Sequence, residues 1–279
     1  MTPLTLAYSP CPNDTYVFAA LTNGLLEGAP EVRAELLDID ALNEAAARGA
    51  YELVKVSYGA IPYLAGKYRI LRTGGALGRA CGPLLIARPA TSPELFADFI
   101  GKRIAVPGER TTAFLLLQLA LGGRPKRIDV MRFDRIVDAV ATGSVDGGLI
   151  IHESRFTYRE RGLIAIADLG EWWENMTLLP IPLGAILVRK DVEPERAKQA
   201  ADAIRRSLAF ARANAGAIMP YVREHAAEMD DDVVRKHIEL YVNEFTDDVG
   251  ELGIQAAHAL FARARDAKLA PADAEPEFL

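Results

Sequence analysis

The sequence predicts an α/β protein of two lobes joined by two strands, with a ligand cleft between the lobes. Three observations carry this. Short apolar segments alternate with helical patterns over the first two thirds of the chain, which implies mostly parallel sheets covered by helices. Two apolar segments, Leu84-Leu85-Ile86-Ala87 and Leu183-Gly184-Ala185-Ile186-Leu187-Val188, bracket a self-contained run of strands and helices, as expected where a chain leaves one lobe and later returns. From Pro194 to Lys268 the pattern turns almost wholly helical. The expected division is a larger lobe from residues 1–86 and 187–279 and a smaller one from 87–186. Hinge motion at the two connecting strands would close the cleft over a small molecule.

Strands are predicted at Leu4–Tyr8, Ala34–Ile39, Leu53–Ser57, Ile70–Thr73, Leu84–Arg88, Arg103–Pro107, Asp129–Arg132, Gly148–Ile151, Ile164–Asp168 and Ala185–Arg189. Helices are predicted at Thr15–Asn23, Ala41–Arg48, Pro93–Ile100, Thr112–Leu121 and Phe133–Thr142. Their ends carry recognisable signals. Asp40 is placed to cap the helix that stops at Gly49, and Asn23-Gly24 ends another. Thr111 or Thr112 caps the segment that Gly122-Gly123 terminates. Pro194 sits at a first-turn position, and Gly216, Asp230–Asp232 and Gly250 punctuate the helical last third. The final ten residues, rich in Pro, Ala and acidic groups, read as a loosely ordered tail.

Composition narrows the function. The chain has 279 residues, half of them hydrophobic, and a net charge of −6 with no basic block, which argues against nucleic-acid binding. No apolar run approaches the ~20 residues that span a bilayer. The first residues lack a basic region and a long apolar stretch, so a cytoplasmic location without membrane attachment is expected. Cys11 and Cys81 form neither a disulfide framework nor a metal cluster. Cys11 is a reactive thiol or a small residue in a packed turn.

Four stretches follow predicted strands and carry polar groups. Gly147-Gly148-Leu149-Ile150-Ile151-His152 ends a buried-looking strand on a histidine. Side chains just past a strand's carboxyl end face the ligand crevice in α/β proteins. An imidazole there titrates near neutral pH and can act as a base; the competing reading is a satisfied surface residue. Ser9-Pro10-Cys11-Pro12-Asn13-Asp14-Thr15 is either a stiff loop with a helix cap or a source of polar groups, Ser9 and Asn13, at a cleft edge. Lys55-Val56-Ser57 puts Lys55 and Ser57 on one strand face, where the lysine either binds a carboxylate or reaches out to solvent. Pro107-Gly108-Glu109-Arg110-Thr111-Thr112 leads into a helix start, which is a plain threonine cap or an anion cradle. Trp172-Trp173 either wall a site for a flat ring or pack the smaller lobe. His225, His237 and His258 lie among charged neighbours and read as solvated helix residues. No histidine has a second ligand at metal spacing, so no metal is predicted.

Together the motifs Ser9–Thr15, Pro107–Thr112, Ile151–Tyr158 and Leu179–Gly184 resemble the 1,4-dihydroxy-6-naphthoate synthases of the futalosine route to menaquinone. The resemblance spans residues 9–184. It implies a periplasmic-binding-protein-like fold of type 2 with no transport role. It also implies a cofactor-free lyase that converts cyclic dehypoxanthine futalosine to 1,4-dihydroxy-6-naphthoate and releases dihydroxyacetone. Carried over by motif, His152 is the proton acceptor, and Lys55, Val56, Ser57, Thr111 and Thr112 are substrate contacts. Tyr16 stands where the family usually has Phe, and Leu178 and Ala185 where Gly is common. Two rivals remain: a non-enzymatic solute-binding protein for a small carboxylate, and the related chorismate dehydratase of the same pathway.

Overall fold

The computed structural model of the chain describes residues 2–89, 96–227 and 230–279. The predicted helix Pro93–Ile100 falls partly on residues 90–95, outside the described residues; the remainder is a short 3-10 helix, Phe96–Gly101.

The first sheet begins with β1 (Leu4–Tyr8), whose apolar run is buried on both faces because helices cover both. It pairs in parallel with β2 (Val32–Leu36) and β3 (Leu53–Ser57). The return strand β11 (Ile181–Arg189) runs antiparallel to β3, to β4 (Tyr68–Ile70) and to β5 (Ala76–Gly78). In the second sheet β7 (Arg103–Val106) is parallel to β8 (Arg127–Val130) and β9 (Gly147–Ile150). There β6 (Leu84–Ala87) is antiparallel to β9 and to β10 (Ile164–Asp168). Both sheets are therefore mixed, where mostly parallel ones were expected. The antiparallel members include β6 and β11, which enter each sheet directly from the other one.

Helix character follows from side-chain pattern. α1 (Pro12–Thr22) is apolar nearly all round and is buried all round, packed against α7 (Pro194–Ala213), α8 (Ala215–His225) and α9 (Asp231–Tyr241). α4 (Phe133–Ala141) instead buries one stripe, Phe133, Ile136 and Val140. α3 (Thr112–Leu121) starts at the cap Thr111 and stops at Gly122 in the left-handed conformation, as the sequence indicated. α2 (Ile39–Arg48) also ends at a left-handed Gly49, but its N-cap is Asp38, not Asp40, and Ile39 belongs to this helix instead of the preceding strand.

The sequence missed β5, whose three residues are too short to show alternation, the one-turn helix α5 (Ser154–Thr157) and α6 (Leu169–Thr177). The signal for α6 was Asp168, whose carboxylate accepts hydrogen bonds from the backbone N–H groups of Gly170 and Glu171. The tail is not loose. Ile70 N–H donates to Glu277 O, Leu279 N–H donates to Ile70 O, and the tail lies along the β4 edge. Beyond α9 the chain forms α10 (Glu244–Asp247) and α11 (Gly250–Asp266).

Candidate active site

A cleft lies between the two sheets, lined by residues of both, as is common for small-molecule sites. The first sheet contributes Ser9 and Asn13 from the loop after β1 and the start of α1, and Lys55 and Ser57 from the end of β3. The second contributes Thr111 and Thr112 at the start of α3, and His152 two residues past β9. Four loops distant in sequence thus meet at one place. Val56 does not line the cleft. Strand alternation turns it from Lys55 and Ser57 into the apolar core, and its backbone pairs with Ala185.

The first wall is organised around a residue that the sequence offered only as a helix cap. The Asp14 carboxylate accepts from Ser9 Oγ at 2.8 Å, Asn13 Nδ2 at 2.8 Å and Lys55 Nζ at 2.6 Å. Lys55 and Asp14 are both buried, so each offsets the other's desolvation. Lys55 also donates to Gly74 O, which leaves the third ammonium proton for a ligand. A Cβ on Gly184 would lie 2.8 Å from Lys55 Cε, so glycine there makes room for the lysine stem. Ser57 Oγ accepts from Asn43 Nδ2 while Ser57 N–H donates to Asn43 Oδ1. The Ser57 hydroxyl proton therefore stays available to the cleft.

The two threonines have separate jobs. Thr111 Oγ donates to Gly108 O and accepts from Phe114 N, a helix cap within the second lobe. Thr112 Oγ donates to Leu183 O at 2.7 Å and accepts from Gly59 N–H at 3.1 Å, which ties α3 to the first lobe.

His152 adopts a left-handed backbone, φ +56°, a conformation that histidine tolerates better than most residues. Its ring meets Phe133 edge-on at 4.9 Å and its Nδ1 lies 3.3 Å from Cys11 Sγ across the cleft. Its Nε2 is buried and has no hydrogen-bond partner among the described residues. Burial pushes the imidazole down from 6.5 to about 4, with the Asp14 charge opposing this and Lys55 assisting. The ring is therefore neutral at neutral pH. Burial and the Glu153 charge hold Cys11 as a thiol, well above its usual range, so it is no nucleophile. Cys11 Sγ is the partner of the imidazole's Nδ1.

Cys11, His152 and Glu153 each bring one potential ligand atom within 4.8 Å of the others, a grouping that sequence spacing did not show. A metal there would have to deprotonate the buried thiol.

Besides Asp14, Asn43 and Tyr241 at the site went unnoticed, and His237 was misplaced. His237 was expected in solvent and is instead fully buried, with Nε2 2.9 Å from Asn13 Oδ1. The overlooked signal is the stripe Val234, His237, Tyr241 along α9, at helical spacing and buried throughout. His225 is half-buried and His258 exposed. Trp173 is buried with Nε1 donating to Pro180 O, so the tryptophan pair packs the smaller lobe and does not wall the cleft.

Residues 4–266 match the protein family described as menaquinone biosynthesis. The chain belongs to this family. A relative from Streptomyces coelicolor named 1,4-dihydroxy-6-naphtoate synthase is 48% identical over 273 residues, covering 96% of this chain and 95% of the relative. Another of the same name from Thermus thermophilus is 46% identical over 281 residues, covering both chains completely. Among solved structures, a protein from Archaeoglobus fulgidus superposes with a TM-score of 0.89 at 36% identity, over 96% of this chain and 98% of that one. The alkanesulfonate-binding protein SsuA from Xanthomonas axonopodis pv. citri gives a TM-score of 0.74 at 15% identity, over 97% and 95%. That likeness is one of fold: the menaquinone family member is built as a two-lobed, periplasmic-binding-protein-like α/β protein.

Proposed function

We propose that the chain is a carbon–carbon lyase that converts cyclic dehypoxanthine futalosine to 1,4-dihydroxy-6-naphthoate and releases dihydroxyacetone. The observation that carries this reading is the near-complete match, at 46–48% identity, to two relatives named for that product. The cleft supplies what the chemistry needs.

Removing the sugar carbons and aromatising the second ring requires a base for a hydroxyl or carbon-bound proton and a place for developing negative charge. His152 is the base in this reading. The ring is assigned the Nδ1–H tautomer, with Nδ1–H donating to Cys11 Sγ, so that the lone pair sits on Nε2, which has no hydrogen-bond partner among the described residues. General-base catalysis of this kind contributes roughly 10²–10⁴-fold. The substrate carboxylate or an oxyanion is held by the free proton of Lys55, the Ser57 hydroxyl and the first amides of α3 beside Thr111 and Thr112. Ser9 and Asn13 shape the same wall through Asp14. Val56 takes part only by fixing its two neighbours in register.

Aromatisation drives the reaction forward, so positioning, proton transfer and exclusion of water suffice, and the proposal calls for no redox cofactor. Within it the lobes, residues 1–86 with 187–279 and residues 87–186, close over substrate. In support of this division, β5 and β11 belong to the first sheet and β6 and β10 to the second. Among the described residues no helix is long and apolar enough to cross a membrane, in keeping with a cytoplasmic catalyst. The test is incubation with cyclic dehypoxanthine futalosine and mass spectrometry. Naphthoate and a three-carbon product are expected. Binding without product would support the solute-binding alternative, and turnover of chorismate would support the dehydratase.

A further inference from the structure

We propose that His237 is a positioning residue of the active site, a neutral Nε2–H donor that fixes the Asn13 amide and, through it, the Asp14 carboxylate. Its effect on turnover rests on the proposed function; the hydrogen bond itself does not.

The hydrogen-bond pattern leaves one arrangement. Asn13 stands between His237 Nε2, 2.9 Å from its Oδ1, and Asp14 Oδ1, 2.8 Å from its Nδ2. An amide has one accepting end and one donating end. An ionised carboxylate only accepts, so Nδ2 must face Asp14 and Oδ1 must face His237. His237 must then carry its proton on Nε2. Its Nδ1 holds a lone pair that finds no partner among the described residues.

That bare nitrogen argues for a role beyond packing. An unsatisfied buried polar atom costs about 1–3 kcal/mol, and a leucine would fill the same space without it. The ring lies 6.2 Å from His152, tilted only 26° from parallel, and 4.6 Å from Tyr241. Burial and the neighbouring His152 keep His237 uncharged. A neutral ring there leaves His152 free to take up a proton without a like charge beside it.

Loss of the Nε2–H donor frees the Asn13 amide to turn over and present Oδ1 to Asp14. Two acceptors would then face each other, and Asp14 would lose one of its three side-chain donors. The Lys55 ammonium, held at 2.6 Å by the same Asp14 oxygen, would shift with it. His237 thus links α9, far along the chain, to the wall that receives the substrate.

The experiment compares wild type, His237→Gln and His237→Leu. A glutamine amide can place an N–H where Nε2–H was; leucine cannot. At matched melting temperature, His237→Leu is expected to lose about ten- to a hundredfold in kcat/KM, the usual cost of removing a supporting hydrogen bond behind a site. His237→Gln is expected to recover most of that loss. Near-normal kcat/KM in His237→Leu would overturn the proposal, as would equal losses in both variants. Nitrogen-15 NMR of the wild-type imidazole gives a readout without turnover. The Nε2–H tautomer supports the proposal and the Nδ1–H tautomer overturns it, even if His237→Leu fails to fold. Wild type with the Nε2–H tautomer but no turnover would instead refute the proposed reaction and leave the hydrogen bond standing.

Discussion

Thr112→Val removes a single hydroxyl that joins the two lobes. In the structure it donates to Leu183 O at 2.7 Å and accepts from Gly59 N–H at 3.1 Å. Gly59 is buried, and a Cβ on it would lie 2.9 Å from Thr111 O, so the backbones approach too closely for water to replace the lost partner. A stranded buried N–H costs about 1–3 kcal/mol, and the half-buried Leu183 carbonyl, which can rehydrate, about 1 kcal/mol. Under the proposed closure over substrate, the total of roughly 2–4 kcal/mol falls on the closed arrangement, in which this hydroxyl joins the lobes. At 1.4 kcal/mol per tenfold, the substrate dissociation constant should rise by at least about 30-fold. Thr111→Val is the control. Its hydroxyl caps α3 within one lobe, so the variant should lose about 1 kcal/mol of stability and keep its affinity. Calorimetric titration with substrate, beside thermal unfolding of both variants, reads the two effects. Unchanged affinity in Thr112→Val, or weakened affinity confined to Thr111→Val, would refute the division of labour between these threonines.

Three further outcomes follow from His152 and Leu178. Because burial lowers His152 to about 4 in the folded protein, the acid limb of kcat/KM should fall near pH 4 and not near 6.5; a limb at 6.5 would place the imidazole in solvent. The depressed value also has a stability consequence. The contribution is complete above pH 6.5 and is lost as pH falls towards 4, because the unfolded chain binds the proton first. Over that window wild type should lose about 3 kcal/mol more than His152→Asn in urea unfolding, from about 2.5 units at 1.36 kcal/mol each; parallel curves would contradict it. Leu178 holds a left-handed conformation, φ +61°, at the end of α6 and is 79% exposed. Leu178→Gly should raise stability by up to about 1 kcal/mol in thermal unfolding, the relief of the left-handed penalty less the entropy of glycine.

The elements most legible in the sequence were those whose signal is local. β1, β3, β10 and α3 fall on the residues predicted, because each is a compact apolar run ended by a proline, glycine or capping side chain. β5 was too short to show a period, and the mixed sheet direction depends on where the chain returns, which no local pattern encodes. At the site, strand ends pointed to Lys55, Ser57, Thr111 and His152, and the fold brings all four to one cleft. Partners from distant segments stayed hidden. Asp14 looked like a cap, yet it binds a lysine 41 residues away. His237 sat among charges on α9, and only its spacing with Val234 and Tyr241 marked it as buried. The tail looked loosely ordered by composition, but two backbone hydrogen bonds hold it to Ile70.

The most direct test of the central claim is His152→Asn measured for both binding and turnover of cyclic dehypoxanthine futalosine. Asparagine tolerates the left-handed backbone at this position, so the fold should survive. The account predicts substrate affinity close to wild type and a rate lower by roughly 10²–10⁴-fold. Near-normal formation of 1,4-dihydroxy-6-naphthoate by the purified variant would contradict it and remove His152 from the reaction.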